Sequence, residues 1–251
     1  MDAITETYHL VLRALRESAR QPLVEIGNIF IPMFFFAVTV GAIGEVAGRA
    51  FGVTNYLGFQ MPVAILQGVG AGNAGFAMVT DIERGYFDKL LLTPASRISL
   101  VASRLVADGI RIMLLTLLIT AVGLIVGTGM ASGPLGIIAM ALLAGLFGVA
   151  YSGIGMAIAL KTGSAQAAQL GFLIFFPLLF LSPAFAPKAV FAPWLRTVAT
   201  INPVTYILQG MRGLVLSGWD FLALAEAVGA IVALGAFTLS LVFAALRSRT
   251  A

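Results

Sequence analysis

The sequence predicts an all-α, polytopic membrane fold with six spanning helices, and three observations carry that prediction. The 251 residues are 60% hydrophobic and only 10% charged, with a mean hydropathy of +1.02, whereas a soluble domain carries about a quarter charged residues. Two long tracts, 50–80 and 112–160, contain no charged residue. Between them, Asp81 to Arg104 (DIERGYFDKLLLTPASRISLVASR) concentrates seven charges in 24 positions. A charged island between apolar tracts lies in water or among lipid headgroups.

The elements follow in order. In residues 2–21, Ile4, Tyr8, Val11, Leu12, Leu15 and Ala19 form one apolar stripe, with Glu6, Arg13, Arg16, Glu17 and Arg20 away from it. That pattern predicts an N-terminal amphipathic helix on the inner leaflet. His9 reads as an interfacial polar residue. Pro22 breaks or restarts the helix. Residues 26–44 carry no charge and span about 28 Å as a helix, close to the bilayer core. Pro32 within this first span is tolerated in a membrane helix. Glu45 to Tyr56 reads as a polar loop. The second span covers about 57–80, where Gly68, Gly70, Gly72 and Gly75 allow a neighbouring helix to approach closely.

The island itself reads as a short amphipathic helix parallel to the membrane. Phe87, Leu90 and Leu91 share one face, and Arg84 and Asp88 form an i, i+4 pair on another. Thr93-Pro94 stops it, since the residue before proline is pushed out of the helical region. The third span starts near Ile98 and carries Arg104, Asp108 and Arg111 on one face near its inner end. That face reads as a salt-bridge ladder at headgroup level, or as a contact to a cytosolic partner or a moving element. The uncharged run 112–160 is too long for one span, so the turn cluster GTGMASGP at 127–134 makes it a helical hairpin. The fifth span covers about 165–181, with Gln166 and Gln169 near its start.

Residues 182–219 contain four prolines, at 183, 187, 193 and 203. They read as two short helices dipping into, or lying on, the outer leaflet. Asn202-Pro203 is a helix start, with Asn at the cap and Pro at the first helical position. Trp194, Tyr206 and Trp219 suit the interface. The sixth span covers 220–246, and Arg247 and Arg249 anchor a tail at 247–251. The whole is one transmembrane domain: interface helix 1–21, spans one and two in 22–80, the island at 81–97, spans three to five in 98–181, the outer segment 182–219, then the last span and tail. With the amino terminus inside, inner segments hold ten Lys and Arg residues and outer segments four. This predicts that both termini are cytoplasmic.

Several function classes are excluded. Cysteine is absent and there is one histidine, so thiolate and histidine-rich metal sites are out, as is a Ser-His-Asp triad. None of the three lysines, 89, 161 and 188, follows a glycine, so no phosphate-binding loop exists. The net charge of +4 belongs to membrane loops rather than to nucleic-acid binding. Glu226 is the one candidate for a mid-membrane ionisable group, and no internal repeat is apparent, which argues against a secondary transporter working alone. The energy source, if one is used, is expected on another subunit.

Three features together resemble the membrane subunit of type-2 ABC exporters, closest to the daunorubicin-resistance permease group. They are ERGYFDKLLLTPASR (83–97) followed by SRLVADGIR (103–111), NPVTYILQGMR (202–212) after a proline-rich outer segment, and the order of the elements. The resemblance implies a dimer of permease chains, identical or related, working with two cytosolic ATPase subunits that bind ATP and Mg. This chain itself would hold no cofactor and would not be an enzyme. It implies that 81–97 is a coupling helix on the ATPase. Phe87, Leu90 and Leu91 would be its apolar anchors, Glu83, Arg84, Asp88 and Lys89 its polar rim, and Pro94 and Arg97 would close the segment. Arg104, Asp108 and Arg111 would form a network at the cytoplasmic face, and Asn202, Pro203, Tyr206 and Arg212 the outer short-helix motif. The expected activity is efflux of a hydrophobic or amphipathic, drug-like compound across the cell membrane. Export of a lipid or glycan by the same machinery, or ATP-independent transport, are the alternatives.

Overall fold

The helices follow the apolar tracts, and their ends follow the prolines, glycines and capping side chains. The computed structural model describes residues 3–70, 72, 74–85 and 97–250, apart from the side chains of Ala3, Ile4, Glu6, Arg97, Arg249 and Thr250. The elements are α1 (Ala3–Ala19), α2 (Pro22–Phe51), α3 (Tyr56–Gly70), α4 (Ala74–Glu83), α5 (Arg97–Val126), α6 (Gly133–Thr162), α7 (Ala165–Ala168), α8 (Leu170–Phe180), a 3-10 turn at Lys188–Val190, α9 (Pro193–Ile201), α10 (Pro203–Leu216) and α11 (Phe221–Thr250). The fold is all-α, with no strand among the described residues.

Five stretches are long and apolar enough to cross a membrane: Pro22–Phe51, Tyr56–Glu83, Ile98–Val126, Gly133–Thr162 and Phe221–Ser248. The expected fifth span is a shorter apolar stretch, Ala165–Phe180, divided into α7 and α8. α6 is the central post and packs against α3, α4, α5, α8, α10 and α11. Its approach to α4 is backbone on backbone: a Cβ on Gly75 would lie 2.6 Å from the Gly155 carbonyl. Only glycine permits that crossing.

The expected loop at 45–56 is largely helix. α2 continues to Phe51, because polar side chains do not end a helix once it leaves the hydrocarbon. Gly52 ends it, at φ +67°, with a helix-capping N–H bonded to Gly48 O. Side-chain caps set the other boundaries. Asn55 Oδ1 accepts from Gly58 N at 2.8 Å while its amide donates to Thr128 O at 2.6 Å. Asp220 Oδ1 accepts from Leu222 N and Ala223 N, opening α11.

The bundle has two chemically distinct ends. Leu10 of α1 packs in the same cluster as Leu160 of α6 and Leu246 of α11, so both chain termini lie at one end. The 127–132 turn, the start of α3 and the 181–220 segment meet at the other, where Trp219 Nε1 donates to Ser132 O and Ser132 Oγ donates to Leu214 O.

α1 sits differently from the expectation. Val11 and Ala14 pack on Ala107 of α5, whereas Tyr8 and Ala19 of the predicted stripe are exposed. Arg13 and Glu17, expected on the far side, turn toward α4 and α5, because opposite charges wait there. The two outer helices also separate in character. α9 buries Ala199 alone and exposes Trp194, Val198 and Ile201, as a helix on a leaflet would. α10 does not lie on a surface: Val204, Ile207, Leu208, Met211, Leu214 and Val215 are all buried in the main core.

Candidate functional site

Two features lie next to each other in the bundle: a buried ion-pair network and an aromatic cavity. The network is built on one face of α5. Arg104, Asp108 and Arg111 recur at helical spacing, and all three are buried. Arg104 pairs with Asp81 of α4, and with Glu17 of α1 at 3.0 Å. Arg13 lies 3.7 Å from Asp81. Further along α5, Arg111 Nε donates to Asp108 Oδ1 at 3.0 Å and Nη1 donates to Glu25 Oε2 of α2 at 3.3 Å. Ser18 of α1 donates to Glu25, and Ser152 of α6 donates to Asp108. Five helices are thereby joined through paired side chains, and removing one partner of the buried pairs would leave the other charge uncompensated.

The face carries the salt bridges that the ladder reading expects, Arg111 with Asp108 among them, but they are buried and reach beyond α5, onto α1, α2, α4 and α6. Asp81, Glu17, Glu25 and Ser152 were not singled out from the sequence. The usable signal was charge balance. Two arginines and one aspartate on a membrane helix call for further carboxylates, and Glu17 and Glu25 flank the Pro22 break.

The cavity measures about 610 Å³. Phe35 of α2, Phe76 of α4, Tyr151 of α6, and Phe172, Phe175 and Phe176 of α8 line it, with carboxamides from Asn28, Gln67, Gln166 and Gln169. The lining contains no charged residue among the described ones. Phe172 and Phe176 meet edge to face at 4.9 Å, and Tyr151 and Phe175 at 5.0 Å, the geometry that ring quadrupoles favour. Tyr151 is oriented by its hydroxyl, which donates to Gly171 O at 2.6 Å. Ser152 belongs to both features: it lines the cavity and holds Asp108.

Of the expected coupling residues, Glu83 ends α4 and Arg84 follows in the turn, both exposed. Gly85, at φ +64°, turns the chain away. Arg97 begins α5. Phe87, Asp88, Lys89, Leu90, Leu91 and Pro94 lie outside the described residues.

At the opposite end the outer motif is assembled. Asn202 Oδ1 caps α10 by accepting from Val204 N at 3.0 Å, and Pro203 takes the first helical position. Tyr206 donates to Thr200 O at 2.6 Å. Arg212, expected as an outer-face charge, is buried. Its guanidinium donates to three carbonyls, Phe59 O, Pro183 O and Ala184 O, at 2.9, 2.5 and 2.7 Å, and its carbon lies 3.4 Å from the centroid of the Phe59 ring. Burial pushes this guanidinium down to about 9, which leaves it protonated at neutral pH.

Such a molecule is a polytopic helical membrane protein with an apolar cavity joined to an ion-pair network, the build of a transport subunit. The chain belongs to the ABC-2 type transporter family, which it matches over residues 5–216. It is a transport permease, the membrane subunit of an ABC transporter, and the family implies ATP on a partner ATPase. Its similarity extends over most of its length. It is 24% identical over 246 residues to the daunorubicin resistance ABC transporter permease protein DrrB1 of Streptomyces coeruleorubidus, covering 95% of this chain and 86% of that one. It is 25% identical over 220 residues to "Probable doxorubicin resistance ABC transporter permease protein DrrC" of Mycobacterium tuberculosis, covering 86% and 78%. It is 26% identical over 226 residues to "Putative transport permease ycf38" of Porphyra purpurea, covering 88% and 77%.

Proposed function

We propose that this permease exports a hydrophobic or amphipathic, drug-like compound from the cell, using ATP and Mg bound to separate cytosolic subunits. Two permease chains pair in the cell membrane with both termini cytoplasmic. Residues 81–97 seat on the ATPase, Phe87, Leu90 and Leu91 as anchors and Glu83, Arg84, Asp88 and Lys89 as the rim. The observation that carries this reading is the position of the ion-pair network. It binds α1, α4 and α5 at the point where the chain leaves α4 for the coupling segment, and Ser152 ties it to the cavity wall. A shift of the coupling segment would move α4 and α1 together and reach the cavity through Asp108. The relatives named for daunorubicin and doxorubicin resistance support a drug-like cargo, as does an aromatic chamber without charge.

Two measurements test this. Charge reversal at the rim, Glu83→Lys with Arg84→Glu, should lower co-purification of the ATPase and ATP-dependent export together; a stable complex with unchanged export would remove the coupling role. Phe176→Ala in the cavity should leave the ATPase complex intact. Losing aromatic contact of about 0.5–1.5 kcal/mol predicts about a two- to tenfold weaker apparent affinity for an aromatic amphiphile. Unaltered transport of such probes would place the cargo elsewhere.

A further inference from the structure

The sequence singles out NPVTYILQGMR, and nothing in the coupling mechanism uses it. Two of its polar side chains, Asn202 and Arg212, reach one target, the end of α8 and the turn after it. A helix C-terminus leaves carbonyls without intrahelical partners, and the turn after it adds more. Here the carbonyls of Leu178, Pro183, Ala184 and Phe185 are taken up by side chains from elsewhere in the chain. Asn202 Nδ2 donates to Leu178 O at 2.6 Å. Arg212 donates to Pro183 O and Ala184 O. Tyr56 of α3 donates to Phe185 O at 3.2 Å and is itself held by Gln60 Nε2 at 2.8 Å. Meanwhile Phe175, Phe176 and Leu179, in the same last turns of α8, line the cavity.

We propose that Arg212, Asn202 and Tyr56 form a clamp on the exit end of α8 that holds the cavity closed toward the outer face, and that release of cargo requires this clamp to let go. The chemistry suits a reversible contact. Among the described residues no carboxylate pairs with Arg212, so its bonds in the closed state are to neutral carbonyls. Opening breaks hydrogen bonds that water can replace, without separating an ion pair. The fork geometry is specific to arginine, whose planar donors reach two adjacent carbonyls at once, whereas a lysine presents a single point charge. Arg212 is a positioning residue in this scheme: it touches the end of the helix that lines the chamber, not the cargo.

The proposal rests on the orientation given above, with α10 toward the outside. The absence of cysteine allows a clean test in the full chain with its ATPase, in intact cells, using a membrane-impermeant maleimide added outside. Ala184→Cys reports the clamped turn, since Ala184 is fully buried. Ala192→Cys, on the exposed stretch before α9, is the reference. Ala184→Cys should label slowly and Ala192→Cys rapidly. Adding Arg212→Gln or Tyr56→Phe should speed Ala184→Cys labelling at least threefold and leave Ala192→Cys unchanged. Export should fall while ATP hydrolysis by the complex persists, a split that simple misfolding does not produce. Arg212→Lys should behave like Arg212→Gln, because charge alone does not hold two carbonyls. If Arg212→Gln does not assemble, Tyr56→Phe decides. Wild-type labelling of Ala184→Cys in an assembled Tyr56→Phe protein, or wild-type export by any clamp variant, overturns the proposal. Ala192→Cys reacting only from the inside overturns the orientation first, and the outer clamp with it.

Discussion

Replacing Arg104 with methionine is expected to cost about 3–5 kcal/mol, the loss that follows when one partner of a buried ion pair is removed. Asp81 and Glu17 would then face each other's charge with only Arg13, 3.7 Å from Asp81 and partly exposed, to compensate. The loss is read as thermal unfolding of the purified complex, with yield as a second measure. The triple variant Arg104→Met, Asp81→Asn, Glu17→Gln should recover much of it, because it removes the three most buried charges together and leaves only Arg13, which is partly exposed and can be solvated. A loss below about 1 kcal/mol in Arg104→Met would mean that water reaches this network freely, as for an exposed pair, and that it does not lock α1 to α4. The triple variant separates stability from mechanism. With stability restored and the charges gone, ATP hydrolysis should proceed with export impaired if the network transmits movement.

The second large effect is steric. Gly75→Val places a Cβ about where the Gly155 backbone already stands, 2.6 Å away. Flexible side chains can yield to an added methyl, but a helix backbone cannot. The cost should therefore lie at or above the upper end of the usual 1–3 kcal/mol for overpacking. The matching control is Gly41→Ala on α2, where an added Cβ meets nothing within 4 Å. It should be neutral or gain up to about 1 kcal/mol from helix propensity. If Gly75→Val unfolds at the same temperature as the parent, α4 and α6 do not cross as closely as described, and the cavity they share is differently shaped.

The parts of the molecule that could be read from residues alone are those that lipid or local backbone chemistry dictates. A bilayer core admits only continuous apolar helix, so the uncharged tracts announce their own spans. The hairpin turn predicted at 127–134 falls between Val126 and Gly133. Asn202 and Pro203 open a helix because capping and proline's fixed φ act within a few residues. Reading failed where an end depends on no such signal. Glu45 and Arg49 suggested a loop, yet charged residues continue a helix readily, and α2 runs on as far as Gly52.

Side-chain partnerships were the larger omission. Arg104, Asp108 and Arg111 were visible as one face, but not that Glu17, Glu25 and Asp81 would meet it, nor that Ser152 would carry the contact to a cavity. Arg212 was counted as an outer-face charge and is instead buried among carbonyls of α3 and the α8 turn. Residue order by itself determined that this is a helical membrane protein of the transport kind and where its long apolar helices lie. Only the packed structure decided which charges are neutralised by which, which helix faces line the aromatic cavity, and which donors meet the carbonyls at the end of α8. The reason is physical: crossing a membrane is a property of each stretch taken alone, whereas burying a charge or leaving a void depends on groups brought together from places far apart in the chain.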